Sequence, residues 1–308
     1  MNRVAFVIPY FNPVGYHSHL GKLALSLQAF RRAGIIEQVF LAGAGGPAPS
    51  GPRVLFWDDT CPFIWHKERL INLSAGLLPP DYTHIVWVDS DVLVPDDWGA
   101  LVLNAFERAR LIQCFQFARY RLPDGGTSRT RVGWLHSDGR GGSSPGLAWG
   151  AHRDFFSGGP GLFELALAGG ADTLLARTAA RSGPDVSTIS WVSAWSPEIR
   201  SRFHAWVRAV RVWLAASDRP GPVATEATIE VVEHGPLHAR AYVNRQSLLA
   251  DVSPDRHLHA RAGRVLRWTP LGQTSVEPRF RTYFHERRED DAMTFDVPGV
   301  PPSSAPLP

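Results

Sequence analysis

Apolar strand-like runs alternate with amphipathic helical segments through the first hundred residues, and that alternation leaves few architectures open. "RVAFVIP" reads as a buried first strand. "HSHLGKLALSLQAFRRAG" then carries apolar residues at helical spacing and stops at Gly34, a helix C-terminal signal. "IIEQVFLAG" predicts a second strand, and a Gly/Pro/Ser-rich surface loop separates it from a short strand at "VLFW". A helix over "WHKERLINLSAGLL" is closed by Pro79 and Pro80, and "HIVWVDSDV" follows as another strand. Strands alternating with helices call for right-handed crossovers and a mostly parallel sheet covered on both faces. The expected class is therefore α/β and Rossmann-like.

Later segments are less regular. The stretch "LPDGGTSRTRVGWLHSDGRGGSSPG" is dense in Gly, Ser and Arg without sustained periodicity, and predicts a mobile loop over about 122–146. "EIRSRFHAWVRAVRVWLAA" puts Ile199, Phe203, Trp206, Val210, Trp213 and Leu214 on one helical face, as for a helix packed on the sheet with a solvated basic side. The expected division is a catalytic domain over 1–235, a helical extension over 236–291 packed on it, and a disordered tail over 292–308.

The chemistry concentrates in "HIVWVDSDVLVPDDW". In the extended strand side chains alternate, so Asp89 and Asp91 are expected to point the same way while Ser90 points oppositely. Two carboxylates about 4 Å apart repel by roughly 4 kcal/mol at an effective dielectric of about 20, so a site holding both ionised supplies a cation or protonates one of them. Oxygen-only ligands suit Mg²⁺ or Mn²⁺, which keep positions open for substrate phosphates. The carboxyl end of a strand in an open parallel sheet is also where ligands bind. The competing reading is a helix cap, the role that Asp96 and Asp97 suggest for themselves ahead of "WGALVLNAFERA".

With these residues in view, the chain resembles the nucleotide-sugar-dependent glycosyltransferases of the GT-A fold, near family 2 and the β-1,4-galactosyltransferase type, in their bacterial branch. "VIPYFNP" resembles the segment that meets the nucleotide base, "WHKERLIN" the helix leading into the metal strand and "VDSDV" the metal motif. "PGLAWGAHRDFF" resembles the acceptor-side segment, and "LALAGGADTLLA" the stretch that carries the catalytic base. "EVVEHGPLHARAYVNRQSLL" resembles a C-terminal segment whose histidine completes the metal site. The resemblance implies Asp89, Asp91 and His234 as metal ligands, with His238 as an alternative, and Asp172 as the base. It also implies donor contacts at Pro9, Tyr10, Phe11, Lys67, Asn72, Asp89, Ser90 and Trp149.

The activity so implied is metal-dependent, inverting transfer of a hexose (Gal, GalNAc or Glc) from a nucleotide sugar, a UDP-sugar by resemblance, to a hydroxyl on a glycan, a lipid-linked acceptor, a small molecule or a peptide. Mn²⁺ or Mg²⁺ is the expected cofactor. Two departures stand out: Ala171 precedes Asp172 where the galactosyltransferase pattern has a second acid, and "QVFLAG" lacks the acidic pair that many family 2 enzymes turn on uracil.

Other readings remain beside this one. Asp172 can cap the helix at "TLLARTAARSG", His234 can be a hydrogen-bonded structural residue, and Lys67 can be solvated surface. Lys67 and Asn72, five apart, share a helical face less closely than residues four apart. A sugar-nucleotide or glycan-binding protein without turnover would keep the same pair. A haloacid-dehalogenase-type phosphatase also reads Asp-x-Asp after an apolar strand, but on its first strand and with a downstream lysine, and no lysine follows Lys67.

The formal charge of +3 fits anionic ligands without calling for nucleic acid, although arginines and tryptophans interleave in residues 200–213. Two cysteines, Cys61 and Cys114, give no disulfide framework. With no export signal and no apolar run near the ~20 residues of a spanning helix, the expected location is cytoplasmic, with at most peripheral membrane contact.

Overall fold

The computed structural model describes residues 3–50, 52–122, 125–180, 186, 189–218, 221–233 and 235–291. Its sheet is built outward from β1 (Val4–Phe11), whose residues are buried from Val4 to Tyr10. A run with no polar side to show water has to lie in the middle of a sheet covered on both faces. Helix α1 (Ser18–Arg32) and a 3₁₀ turn over Ile36–Gln38 lead to β2 (Val39–Ala44), so the expected second strand loses its first residues to that turn. Strand β3 (Val54–Asp58), helix α2 (Lys67–Leu77) and β4 (His84–Val88) complete the alternation expected of the first third.

A short β5 (Val92–Leu93), α3 (Trp98–Arg108), β6 (Leu111–Gln113), β7 (Phe117–Arg121), β8 (Thr127–Val132) and β9 (Ala148–His152) follow. Next come α4 (Ala171–Ala179), α5 (Pro197–Ala215), β10 (Val223–Ala224) and β11 (Thr228–Val232). The chain then makes α6 (Pro254–His257), β12 (Leu258–His259), β13 (Arg267–Trp268), α7 (Pro270–Ser275) and α8 (Glu277–Glu286).

The main sheet has the order β10-β6-β9-β4-β1-β2-β3, and every neighbouring pair in it is parallel except those made by β9. A second sheet, β5-β11-β7-β8, stands beside it. Alternation along β1 supplies both faces of the main sheet: Val4, Phe6 and Ile8 join Leu23, Phe30 and Trp98, while Ala5 and Val7 join Leu70 and Ala75 of α2. Helix α5 buries Ile199, Phe203, Trp206, Val210 and Trp213 as its spacing predicts, starting from Ser196, whose hydroxyl accepts from Ile199 N at 3.3 Å. Phe280 and Phe284 of α8 pack into the same apolar cluster as α4 and α5. Among the described residues no helix is long and apolar enough to cross a membrane.

Two expectations change. The acidic doublet is not on the strand: β4 ends at Val88, and Asp89 to Val92 form a turn closed by Val92 N on Asp89 O at 3.2 Å. The stretch 122–146 contains β8, paired antiparallel with β7. Its Thr and Arg side chains are half-buried or exposed, so the strand shows no apolar alternation, and the cross-strand ladder makes it extended instead.

Candidate functional site

β1 and β4 are parallel neighbours, so both deliver their C-terminal ends to the same edge of the sheet. There the turn after β4 is held from three sides. Asp89 N donates to Leu147 O at 2.8 Å, Val232 N of β11 donates to Asp91 O at 2.8 Å, and Ser26 of α1 donates its hydroxyl to Val92 O at 2.8 Å. Asp89 and Asp91 thus line the same cavity because a pinned turn presents both, not because strand alternation does.

Lys67 opens α2 and is 4% exposed. Its ammonium lies 2.6 Å from Asp89 Oδ1 and 2.8 Å from Asp172 Oδ2. Burial works against charge on Lys67, but Asp172 and Asp89 outweigh it and its pKa is raised. Burial likewise lifts Asp89 to about 6, with Asp172 and Asp91 adding to the rise and Lys67 opposing it. Glu68, next in the helix, is fully buried and is pushed up to about 8 by the same desolvation. Three acids thus crowd one buried ammonium, with Asp89 and Asp172 still partly exposed to the cavity.

Asp172 reaches Lys67 through the start of α4. Gly169 and Gly170 take φ of +82° and +100°, conformations open to glycine and costly for other residues, and so turn the chain abruptly into the helix. Gln246 fixes the turn by donating to Gly169 O at 3.0 Å. Gly170 occupies the cap position, which leaves the Asp172 carboxylate for the ion pair instead of the helix end.

Two contiguous cavities meet here, of about 120 and 380 Å³, with Trp65, Lys67, Asp89, Asp91 and Arg287 in the walls of both. The larger sets Lys67 and five arginines (129, 131, 240, 245 and 287) against Asp89, Asp91 and Asp172, so cations outnumber acids. Arg245 and Arg287 lie 5.8 and 5.1 Å over the Trp65 ring, and Tyr283 Oη accepts from them at 3.0 and 2.8 Å. Arg287 is further bound to the buried Glu289, its Nε donating at 2.6 Å. Arg129 lies 4.0 Å over the Tyr120 ring and pairs with Glu233 at 2.6 Å. Arg287 and Arg129 spend part of their donor sets on Glu289 and Glu233, so a diphosphate would use the remaining guanidinium N–H groups of the cluster, and the aromatic rings among them suit a sugar or a base.

Of the residues singled out in the sequence, Pro9, Phe11, Lys67, Asp89, Ser90, Asp91 and Asp172 come together around these cavities. Three do not reach them. Strand alternation sends Tyr10 to the opposite face from Pro9 and Phe11, where it stacks on Trp57 with ring centres 6.0 Å apart. Asn72 turns away from Lys67 and brackets the loop before α4, donating to Leu162 O at 2.9 Å and accepting from Leu162 N at 2.9 Å. Trp149 is fully buried in the apolar cluster and donates to Pro145 O at 2.7 Å. His234 lies outside the described residues, and His238 is exposed.

The two aspartates supply hard oxygen donors and line a cavity that has room for phosphate oxygens, which fits a divalent ion. Among the described residues no three His, Cys, Asp or Glu side chains converge as ligands, and Asp89 and Asp91 are a candidate pair only. Trp65, Lys22, Arg240, Arg245 and Arg287 escaped the sequence reading, whereas Arg129 and Arg131 belong to the arginine-dense stretch 122–146, whose arginines were candidates for the pyrophosphate without a choice among them. One signal was available: Lys22 and Lys67 are the only lysines in a chain otherwise supplied with arginine, and both are buried in the cavity wall.

No protein-family model matches the chain, and no curated protein sequence matches it. Among solved structures, the catalytic domain of Drosophila β1,4-galactosyltransferase 7, in complex with xylobiose, overlaps at a TM-score of 0.34 and 13% identity. That overlap covers 57% of this chain and 60% of the Drosophila chain, so the match spans under two thirds of that domain. Glucosyl-3-phosphoglycerate synthase from Mycobacterium tuberculosis, in complex with Mn²⁺, UDP-glucose and phosphoglyceric acid, gives 0.39 at 12% identity over 87% of each chain. 4-Diphosphocytidyl-2C-methyl-D-erythritol synthase from Anaerococcus prevotii gives 0.36 at 9% identity, over 79% of this chain and 97% of that one. The fold is of the α/β class: a mostly parallel sheet, interrupted by the antiparallel β9 and flanked by helices.

Proposed function

We propose that the chain is a metal-dependent glycosyltransferase that moves a hexose from a nucleotide sugar, a UDP-sugar in the first instance, to a hydroxyl acceptor with inversion at the anomeric carbon. The observation that carries this reading is the position of Asp172: it shares one buried ammonium with Asp89, so a candidate base and a candidate donor-binding acid stand two hydrogen bonds apart in one cationic cavity.

The assignment of roles follows from charge. Arg287 and Arg245, braced by Tyr283, would hold the diphosphate, with Arg131 of β8 as a further contact. Asp89 and Asp91 would hold the divalent cation, which supplies Lewis-acid stabilisation of the departing diphosphate when bound. Asp172 would take the proton from the acceptor hydroxyl as its oxygen bonds to the anomeric carbon and the bond from that carbon to the diphosphate oxygen breaks, releasing the nucleoside diphosphate. Trp65, Trp191 and Tyr242 would offer ring faces to the sugar.

The test is a panel of nucleotide sugars assayed for release of nucleoside diphosphate, to water or to added acceptors, with divalent cation and with chelator. Release from at least one donor, abolished by chelation, is expected. Release that survives exhaustive chelation contradicts the metal role, and a panel that binds but never turns over favours a binding protein.

A further inference from the structure

Lys67 contacts both acids at once, and this has a consequence beyond placing them. The ammonium is buried and reaches Asp89 Oδ1 at 2.6 Å, in the place where a candidate ligand of a dication needs its own lone pairs. It also holds Asp172 Oδ2 at 2.8 Å. A cation so placed repels a dication at the neighbouring acids and engages an oxygen that the dication would use. We propose that Lys67 is a stand-in counter-ion that competes with the divalent cation for Asp89 and turns to Asp172 when the ion arrives.

The inference rests on the proposed function, because it takes Asp89 as a metal ligand. It gives Lys67 a positioning role in which one residue links loading of the donor side to placement of the base. Lys67 rides on the first turn of α2, and its two partners come from separate elements, the turn after β4 and the first turn of α4. Without an ion, Lys67 holds those two elements together. With Asp89 given over to an ion, the ammonium belongs to Asp172 and fixes the base beside the donor.

The competition makes opposed predictions for two substitutions. Lys67→Met removes the competitor and should tighten Mn²⁺ binding about tenfold or more, while lowering turnover. Asp172→Asn removes the second claim on the ammonium, leaves Lys67 to Asp89 and should weaken Mn²⁺ binding several-fold. A scaffold role for Lys67 would weaken binding in both variants.

The experiment is titration of Mn²⁺ alone into the full chain, followed by calorimetry, for the wild type, Lys67→Met, Lys67→Gln and Asp172→Asn. The Gln variant keeps a hydrogen-bonding head should the Met variant fail to fold. Opposite shifts for the lysine and aspartate variants support the proposal, as does a wild type that binds Mn²⁺ poorly beside a lysine variant that binds it well. Unchanged or weakened binding in the lysine variants overturns the competition while leaving the transferase reading intact. Absence of Mn²⁺ binding in all four chains, with UDP added as well, overturns both.

Discussion

Glu68 should be a liability that stability measurements expose. Its side chain is 2% exposed, and Oε2 has no hydrogen-bond partner among the described residues. Burial, with Asp172 and Asp89 adding, lifts it from 4.5 to about 8 against the pull of Lys67. The unfolded chain ionises this carboxyl near its ordinary value, whereas the folded chain keeps it protonated until about pH 8. An acid raised on folding favours the folded state at low pH, and that advantage is lost as pH rises. Between the two values each pH unit removes about 1.4 kcal/mol of stability, so the loss reaches about 3 kcal/mol at about pH 7 and levels off near about 5 kcal/mol above pH 8. Glu68→Gln keeps the shape and removes the titration. The variant should match the wild type near about pH 4, exceed it by about 3 kcal/mol near pH 7 and gain a little more near pH 9. Urea unfolding followed by tryptophan fluorescence at those three pH values measures the difference, and the comparison cancels the titrating groups that do not interact with Glu68. A difference that stays flat across the range refutes the reasoning.

At saturating Mn²⁺, Asp172→Asn should lower turnover by ~10²-fold or more while sparing nucleoside diphosphate affinity, as single-turnover kinetics beside a binding titration would show. Equal turnover would remove Asp172 as the base. Gly170→Ala forces a side chain into φ of +100° with its Cβ 3.1 Å from Gln246 Nε2, and should cost about 1–3 kcal/mol in chemical denaturation. Retained stability there would mean that the turn into α4 relaxes easily.

The fold was legible where the physics is local. β1 and β4 read as strands because each is an unbroken apolar run, and α5 read as a helix because its buried residues recur every three or four positions. The doublet was legible too, since two acids directly after a buried strand need a charge partner. What brings them to one cavity was not. Alternation argued from an extended strand, while the chain turns after Val88 and hydrogen bonds from Leu147 and Val232, both far along the sequence, set the geometry. Alternation properly applied would have separated Tyr10 from Pro9 and Phe11, which cannot all face one pocket from a strand. β8 was invisible because its Thr and Arg side chains carry no apolar period. Arg245 lies within the "EVVEHGPLHARAYVNRQSLL" segment that resemblance ties to the metal site, but no spacing picks it out, and Arg287 stands in no motif at all; only the fold brings them to Tyr283 and Trp65.

The central claim is that Asp89 and Asp91 seat a divalent cation against the diphosphate of a nucleotide held by the cavity's arginines. Calorimetric titration of UDP and GDP into the full chain, with Mn²⁺ and with chelator, tests it directly, using Asp89→Asn as the control. The account predicts that one of these nucleotides binds at least tenfold more tightly with Mn²⁺, and that Asp89→Asn erases the difference. Affinity that is the same with and without the ion, or an Mn²⁺ effect that survives Asp89→Asn, would contradict it.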